Sequence, residues 1–233
     1  MVEWDQLDYP DAYANMLGLP SDVMIGYEAI GLFGKDVPLA GAPVQTLGTY
    51  QEGDIAYADL NGDDIIDDRD RKVLGNSFPR TSLGLNLDLK YRQFGLNLTG
   101  VAKGGYNVWT VNNYYWNRAE DKYSILTLDR YHPINNPDGS YPRLTTTSGA
   151  NNFVYSSFWM KNAAFFRLKN IELSYTLNGK SITKFSNNIR FFIRGANLFV
   201  LSNIKELDPE LINAGVTNYP VYLTVTGGIS VKF

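Results

Sequence analysis

The chain contains no cysteine, which excludes disulfides, thiolate nucleophiles and zinc–sulfur sites. That absence suits an extracytoplasmic protein that needs no disulfide. There is one histidine, His132, within "RYHPINNPDG", beside a proline and without the positioned partners a general base requires. No basic run occurs: 21 Lys and Arg face 24 Asp and Glu, a net charge of −3, so no nucleic acid or anionic surface is recognised by charge. G-x-S-x-G, H-E-x-x-H, P-loop and Rossmann signatures are all missing. A glycosidase would need two carboxylates about 5–9 Å apart. Asp54 and Glu172 are candidates, but nothing in the sequence pairs them. The chain therefore reads as a non-enzyme. Long apolar runs are lacking too, and no stretch of about 18 such residues offers a transmembrane helix. The opening "MVEWDQLDYPDAYANML" has neither the basic nor the apolar region of a signal peptide. A membrane-spanning β-strand is still open, since about 9–11 alternating residues suffice for it.

Aromatic residues are plentiful, with 16 Tyr, 12 Phe and 4 Trp, and they favour strands joined by polar loops. The end of the chain, "LTVTGGISVKF", alternates with period two. Leu223, Val225, Ile229, Val231 and Phe233 take one face; Thr224, Thr226, Ser230 and Lys232 take the other. The same pattern fills "TSLGLNLDLKY", "FGLNLTGVA", "NIELSYTL" and "NIRFFIRGANLF", with a sixth, weaker case in "MIGYEAIGLF". Asp88, Lys90, Lys103, Glu172, Arg190, Arg194 and Lys232 fall on the polar faces.

Short connections ("YRQF" at 91–94, "NGKSITKFSN" at 178–187) alternate with long ones at 34–80, 104–163 and 200–221. The long ones far exceed the ~4–6 residues usual in compact domains. An antiparallel up-and-down sheet with all its long loops at one end does this, as outer-membrane barrels do. A soluble sandwich shows the same alternation of faces but has no reason for the loop asymmetry. The expected fold is all-β: about six strands of an antiparallel sheet, with apolar faces toward membrane lipid and polar faces toward a wet lumen. The aromatic stretch "YNVWTVNNYYWNRAEDKY" (Tyr106, Trp109, Tyr114, Tyr115, Trp116) could stack on sugar rings, but loop packing or an interfacial girdle is the better expectation.

Within the 34–80 connection, "DLNGDDIIDDRD" (59–70) packs six Asp and one Asn into twelve positions. Its spacing is that of a calcium loop with side chains at positions 1, 3, 5, 9 and 12 and a carbonyl at 7. On that register the ligands are Asp59, Asn61, Asp63, Asp67, Asp70 and the carbonyl of Ile65. Asp64 stands where a glycine is usual, so a positive φ is expected of an aspartate; Asp70 stands where a bidentate Glu is usual. Ca2+ is the expected cofactor, in a structural role. The alternative is a solvated acidic turn.

"GYEAIGLF" (26–33), "GDIAYADLNGDDIIDDRDRKVLGNSFPRTSLGLNLDLKYRQFGLNLTGVAKG" (53–104), "FFRLKNIELSYTL" (165–177) and "IRFFIRGANLFVLSNIKELDPE" (189–210) follow one another in an order that resembles the C-terminal part of SusC/RagA-type TonB-dependent outer-membrane transporters. The resemblance runs over nearly the whole chain from about Val23. It implies the C-terminal part of a 22-stranded, plugged barrel in the Gram-negative outer membrane, with residues 34–80 as an extracellular loop. It implies import of oligosaccharides or peptides, a SusD-type surface lipoprotein as lid, and energy from the TonB system. About six strands cannot close, since single-chain barrels begin at eight. Residues 1–233 are therefore expected to be the C-terminal piece of a longer protein, or a reading frame starting at an internal Met, inactive in transport on its own. The alternative function is a soluble, calcium-stabilised β-domain that binds a partner.

Overall fold

A computed structural model of the chain describes residues 11–118, 121–145, 149–178, 188–212, 217, 219 and 221–232. Phe233 and most of the 178–187 connection lie outside the described residues. The chain divides into two compact units. One comprises Met1–Phe78, Tyr106–Asn162 and Leu211–Asn218; the other comprises Pro79–Gly105, Ala163–Glu210 and Tyr219–Phe233.

In chain order the strands are β1 (Val23–Tyr27), β2 (Ala29–Leu32), β3 (Val44–Gln45), β4 (Ile55–Tyr57), β5 (Ile65–Ile66) and β6 (Arg71–Asn76), all short. Two long strands follow, β7 (Thr81–Tyr91) and β8 (Phe94–Gly104), then the short β9 (Asn107–Trp109) and β10 (Met160–Asn162). The last three are long again: β11 (Phe165–Asn178), β12 (Asn188–Ser202) and β13 (Thr224–Lys232). Helical turns among the described residues are all short 3-10 segments.

The long strands make one antiparallel sheet in the order β13-β12-β11-β8-β7, and among the described residues β13 pairs only with β12. The register lines up whole rows of side chains. Leu89, Leu96, Leu173 and Ile193 lie opposite one another across four strands, and so do Tyr91, Phe94, Tyr175, Phe191 and Ile229 across five. The reverse face carries the row Asp88, Asn97, Glu172, Arg194, Thr226. The β7–β8 hairpin turns at Arg92 with φ 53°, a left-handed conformation that such tight turns demand and that glycine usually supplies. A break in register between Leu168 and Asn170 shifts the parity of β11. Arg167 consequently sits opposite Val101, on the polar face with Glu172, while Phe166 and Leu168 join the apolar face.

The weaker sixth strand is split. Glu28 interrupts "MIGYEAIGLF", its carboxylate pairs with Lys72, and the halves become β1 on β6 and β2 on β4, outside the five-stranded sheet. The first unit instead builds its own core from Leu32, Phe33, Ile55, Tyr57, Ile66 and Tyr115, each at most 2 % exposed. Side-chain amides complete the hydrogen bonding around β4. Ile55 N–H donates to Asn152 Oδ1 (2.8 Å), Tyr57 N–H donates to Gln45 Oε1 (2.8 Å), and the Ile55 carbonyl accepts from Gln45 Nε2 (3.0 Å) and Asn151 Nδ2 (2.9 Å). Burial of those polar groups is thereby offset. The aromatic stretch packs inward as well: Tyr115 is buried, and the Trp116 ring lies 5.7 Å from Phe153 and 6.3 Å from Trp159, with the Arg118 guanidinium 4.5 Å above it.

Candidate functional site: an apolar sheet face and an acidic loop

On the five-stranded sheet, most large side chains of one face are open or half-open, Leu168 near the register break being buried. Leu83, Leu85, Leu89, Tyr91, Phe94, Leu173, Ile193, Val225 and Ile229 are each about half or more exposed. Leaving such a side chain in water rather than an apolar medium forgoes about 1.5–3 kcal/mol apiece. A contiguous apolar face of this extent marks an interaction with lipid or protein. The strands have 11, 11, 14, 15 and 9 residues, the length a tilted membrane-crossing strand needs.

The opposite face is polar and charged. Glu172, 7 % exposed, is gripped by two guanidinium groups of the neighbouring strand: Arg194 donates from Nε (2.8 Å) and Nη2 (2.5 Å) to Oε2, and Arg190 donates to Oε1. Two cations and one carboxylate leave a net positive knot. Between them Phe192 lies on the same face, its ring 5.8 and 5.6 Å from the two guanidiniums. The ring lies where a Cβ on Gly228 would have to be, so only glycine fits there. Asp54 and Glu172, the paired-carboxylate candidates, belong to different units and serve different partners: Asp54 bonds Asn152 and Arg143, and Glu172 bonds the two arginines.

The acidic loop is held by its own side chains. Asp59 accepts the N–H groups of Gly62 (2.7 Å) and Asp64 (2.8 Å), Asn61 accepts that of Asp63 (3.0 Å), and Asp63 accepts that of Ile65 (3.0 Å). Asp64 adopts φ 61°, as position 6 of such a loop requires. Asp70, fully buried, closes the loop: its two oxygens accept Leu60 N–H and Asp67 N–H (both 2.8 Å), and Asp67 caps the turn 68–70 in return. Ile65 lies in β5, where the carbonyls of Asp64 and Ile66 bond β3, so by strand alternation the Ile65 carbonyl is directed away from β3.

Among the described residues no three acidic side chains are gathered as metal ligands are. The cation between Asp63 and Asp67 is the Arg69 guanidinium, which bonds both carboxylates. Arg69 also lowers the Asp67 carboxyl below its usual range, first through its backbone N–H and then through its side chain. At Asp59 slight burial works upward, but the backbone N–H groups of Gly62 and Asp64 outweigh it and hold that carboxyl low as well. Carboxylate and amide oxygens are the donor type that calcium takes, but here they are engaged by Arg69 and backbone N–H groups. Of the residues named from the sequence, the structure joins Asp63 to Asp67 through Arg69 and Asp67 to Asp70 through the cap; Asp59 and Asn61 bind backbone beside them. Arg69 itself was not among them. Its place at position 11, between two acidic residues, was the signal available.

No family model matches the chain. It is 26 % identical to TonB-dependent receptor P3 of Formosa agariphila over 224 residues, which is 89 % of this chain and 22 % of the relative. It is 28 % identical to TonB-dependent receptor P26 of the same organism, over 78 % of this chain and 20 % of the relative. TonB-dependent receptor SusC of Bacteroides thetaiotaomicron is 24 % identical over 76 % of this chain and 17 % of its own length. The chain thus spans about a fifth of the length of the curated relatives it matches. Among solved structures, the RagAB peptide transporter superposes with a TM-score of 0.67 at 17 % identity, covering 93 % of this chain and 23 % of that one. The RagAB peptide importer in its open-open state gives 0.66 with the same coverage. The names are those of receptors and importers, in keeping with a non-enzyme. Over most of its length the chain is thus similar to TonB-dependent receptors, SusC among them, and its all-β fold matches part of the RagAB transporter.

Proposed function

We propose that this chain supplies five membrane-crossing strands and the outer loops of a TonB-dependent importer of oligosaccharides or peptides in the Gram-negative outer membrane. The observation that carries this reading is the sheet itself: five long strands with one apolar, largely exposed face and one charged face. Both edges, β7 and β13, have a neighbour on one side only among the described residues, and lipid cannot satisfy an open edge. Transport therefore requires further strands, and the 233 residues alone do not transport. In the whole protein a SusD-type lipoprotein would cover the mouth formed by the long loops, and TonB would supply energy. The experiment is extraction of the expressed chain into plain buffer and into detergent, each with and without EDTA. Recovery only in detergent, whatever the EDTA, is the expected result. A soluble fold that melts earlier with EDTA would favour the calcium-stabilised partner-binding domain instead.

For the acidic loop the proposed occupant is Ca2+, held by Asp59, Asn61, Asp63, Asp67, Asp70 and the Ile65 carbonyl, with Arg69 as its competitor for Asp63 and Asp67. Calorimetric titration should then show binding that tightens in Arg69→Gln, because the competing guanidinium is gone. No heat in either form at millimolar calcium would leave only an acidic turn.

A further inference from the structure

The register of the long strands leaves a solvent-open hollow of about 650 Å3 in the polar face of the sheet, beside the β7–β8 turn. Its floor is made of small residues. Gly95 lies opposite Ser174 across β8 and β11, and Thr176 follows Ser174 on the same face. A Cβ at Gly95 would come within 2.8 Å of Ser174 Oγ, so glycine keeps the floor low. The rim is made of long side chains. Lys90 stands on β7 opposite Gly95, while Arg190 and Arg194 stand on β12 opposite Thr176 and Glu172. β7 and β12 are three strand spacings apart, about 14 Å, so the three cations line the hollow from two sides.

Charge in the hollow is unbalanced. Lys90, Arg92, Arg190 and Arg194 line it against Asp88 and Glu172, four cations to two carboxylates. Nor are the guanidiniums used up by Glu172. That carboxylate, its side chain 8 % exposed, takes Nη2 of Arg190 and Nε and Nη2 of Arg194. Nε and Nη1 of Arg190, Nη1 of Arg194 and Nζ of Lys90 bond none of the described residues. A buried carboxylate therefore fixes two arginine forks, each about half exposed, and leaves their remaining N–H groups to the hollow. A fork already held loses little freedom on binding, and a phosphate or carboxylate offers it two oxygens at once.

We propose that this hollow is a binding site for an oxyanion-bearing solute, carrying a phosphate or a pair of carboxylates, held between Lys90 of β7 and Arg190 and Arg194 of β12. Glu172 acts as a positioning residue. The site is built from the sheet alone and goes beyond the transporter reading, which would stand if the site failed.

The test is calorimetric titration of the full chain in detergent micelles, in mildly alkaline buffer at constant ionic strength set with chloride. Inorganic phosphate and succinate, both dianions there, are the two titrants. Saturable binding is expected, and about tenfold weaker binding in Arg190→Gln and in Lys90→Gln, because each loses charged donors on one side of the hollow. Lys103→Gln, exposed on the same face but outside the hollow, removes the same charge and should change nothing. Tighter phosphate would identify a compact group, and tighter succinate two spaced carboxylates; either supports the site. No saturable binding of either titrant overturns it. An equal loss in Lys103→Gln overturns it too, since that marks a bulk effect of charge. If Arg190→Gln loses the sheet, Lys90→Gln decides: a tenfold loss supports the site, and unchanged affinity rejects it.

Discussion

The two units solve the same problem in opposite ways. The five-stranded sheet exposes its leucines and aromatics, and stores charge on the other face, in knots such as Glu172 with Arg190 and Arg194. The loop unit buries its aromatics and pulls polar side chains inside with them, among them Gln45, Asp54, Asn151, Asn152 and Ser156. On the proposed reading one unit relies on an apolar solvent outside, while the other makes its interior from its own side chains. It follows that a substitution of given chemistry should have opposite consequences in the two places.

The largest effect is expected inside the loop unit. Asp54, 1 % exposed, accepts Asn152 Nδ2 (2.7 Å) and Arg143 Nη2 (3.0 Å) and also the backbone N–H of Gln51 (2.8 Å). Asp54→Ala leaves Arg143 and Asn152 without that partner, a loss of about 3–5 kcal/mol for a broken buried pair. Hydrogen exchange should rise across β4 and residues 149–159, while the five-stranded sheet keeps its protection. Equal loss in both units would show that they do not fold as separate bodies of contacts.

The next effect belongs to the sheet. Leu173→Arg puts a cation in the middle of the apolar face, and about 2–4 kcal/mol is the cost at a bilayer midplane. Asn97→Arg, exposed on the polar face opposite Asp88 and Glu172, should cost less than half of that, because its side chain meets solvent and charge of opposite sign. Denaturant titration of the whole protein folded in lipid vesicles measures both. Similar costs at 173 and 97 would contradict a sheet with one face in lipid.

How much of this could be read beforehand differs by unit for the same reason. Period-two alternation needs only the residue types on one strand, so β7, β8 and β13 were legible almost to their ends. On β11 the alternation was visible only from Ile171 onward, because the break in register at Leu168–Asn170 reverses the parity of everything before it. Arg167 was hidden by that reversal. The loop unit was not legible beyond its motifs. Its order comes from contacts between residues about 100 apart, such as Gln45 with Asn151 and Asp54 with Asn152, and amide side chains carry no periodic signal. The acidic loop showed the opposite limit: spacing singled out Asp59 to Asp70 as a calcium-like loop, yet the guanidinium among them had to be seen in three dimensions.

The smallest effect expected is also the most local, and it concerns pH. Asp59 and Asp67 are nearly unburied, and both carboxyls are held below the ordinary value, Asp59 by backbone N–H groups against a slight burial, Asp67 by Arg69. A carboxylate whose folded pKa is depressed favours the folded loop fully above its unfolded value of about 3.9. That contribution is lost as the pH falls through the depressed folded values. Between pH 7 and 5 the loop should therefore be indifferent to pH, and below about pH 4 it should loosen. Hydrogen exchange at the Gly62, Asp64 and Arg69 amides, corrected for the intrinsic rate, reads this at single residues. The β4 amides of Ile55 and Tyr57 serve as controls, because their acceptors are the neutral amides of Asn152 and Gln45. Loss of protection at Gly62 and Asp64 already above pH 5 would mean that the carboxylates are not held down by those N–H groups. Protection persisting unchanged to pH 2 would mean that the turn is set by its backbone, with Asp64 in its left-handed conformation regardless of charge.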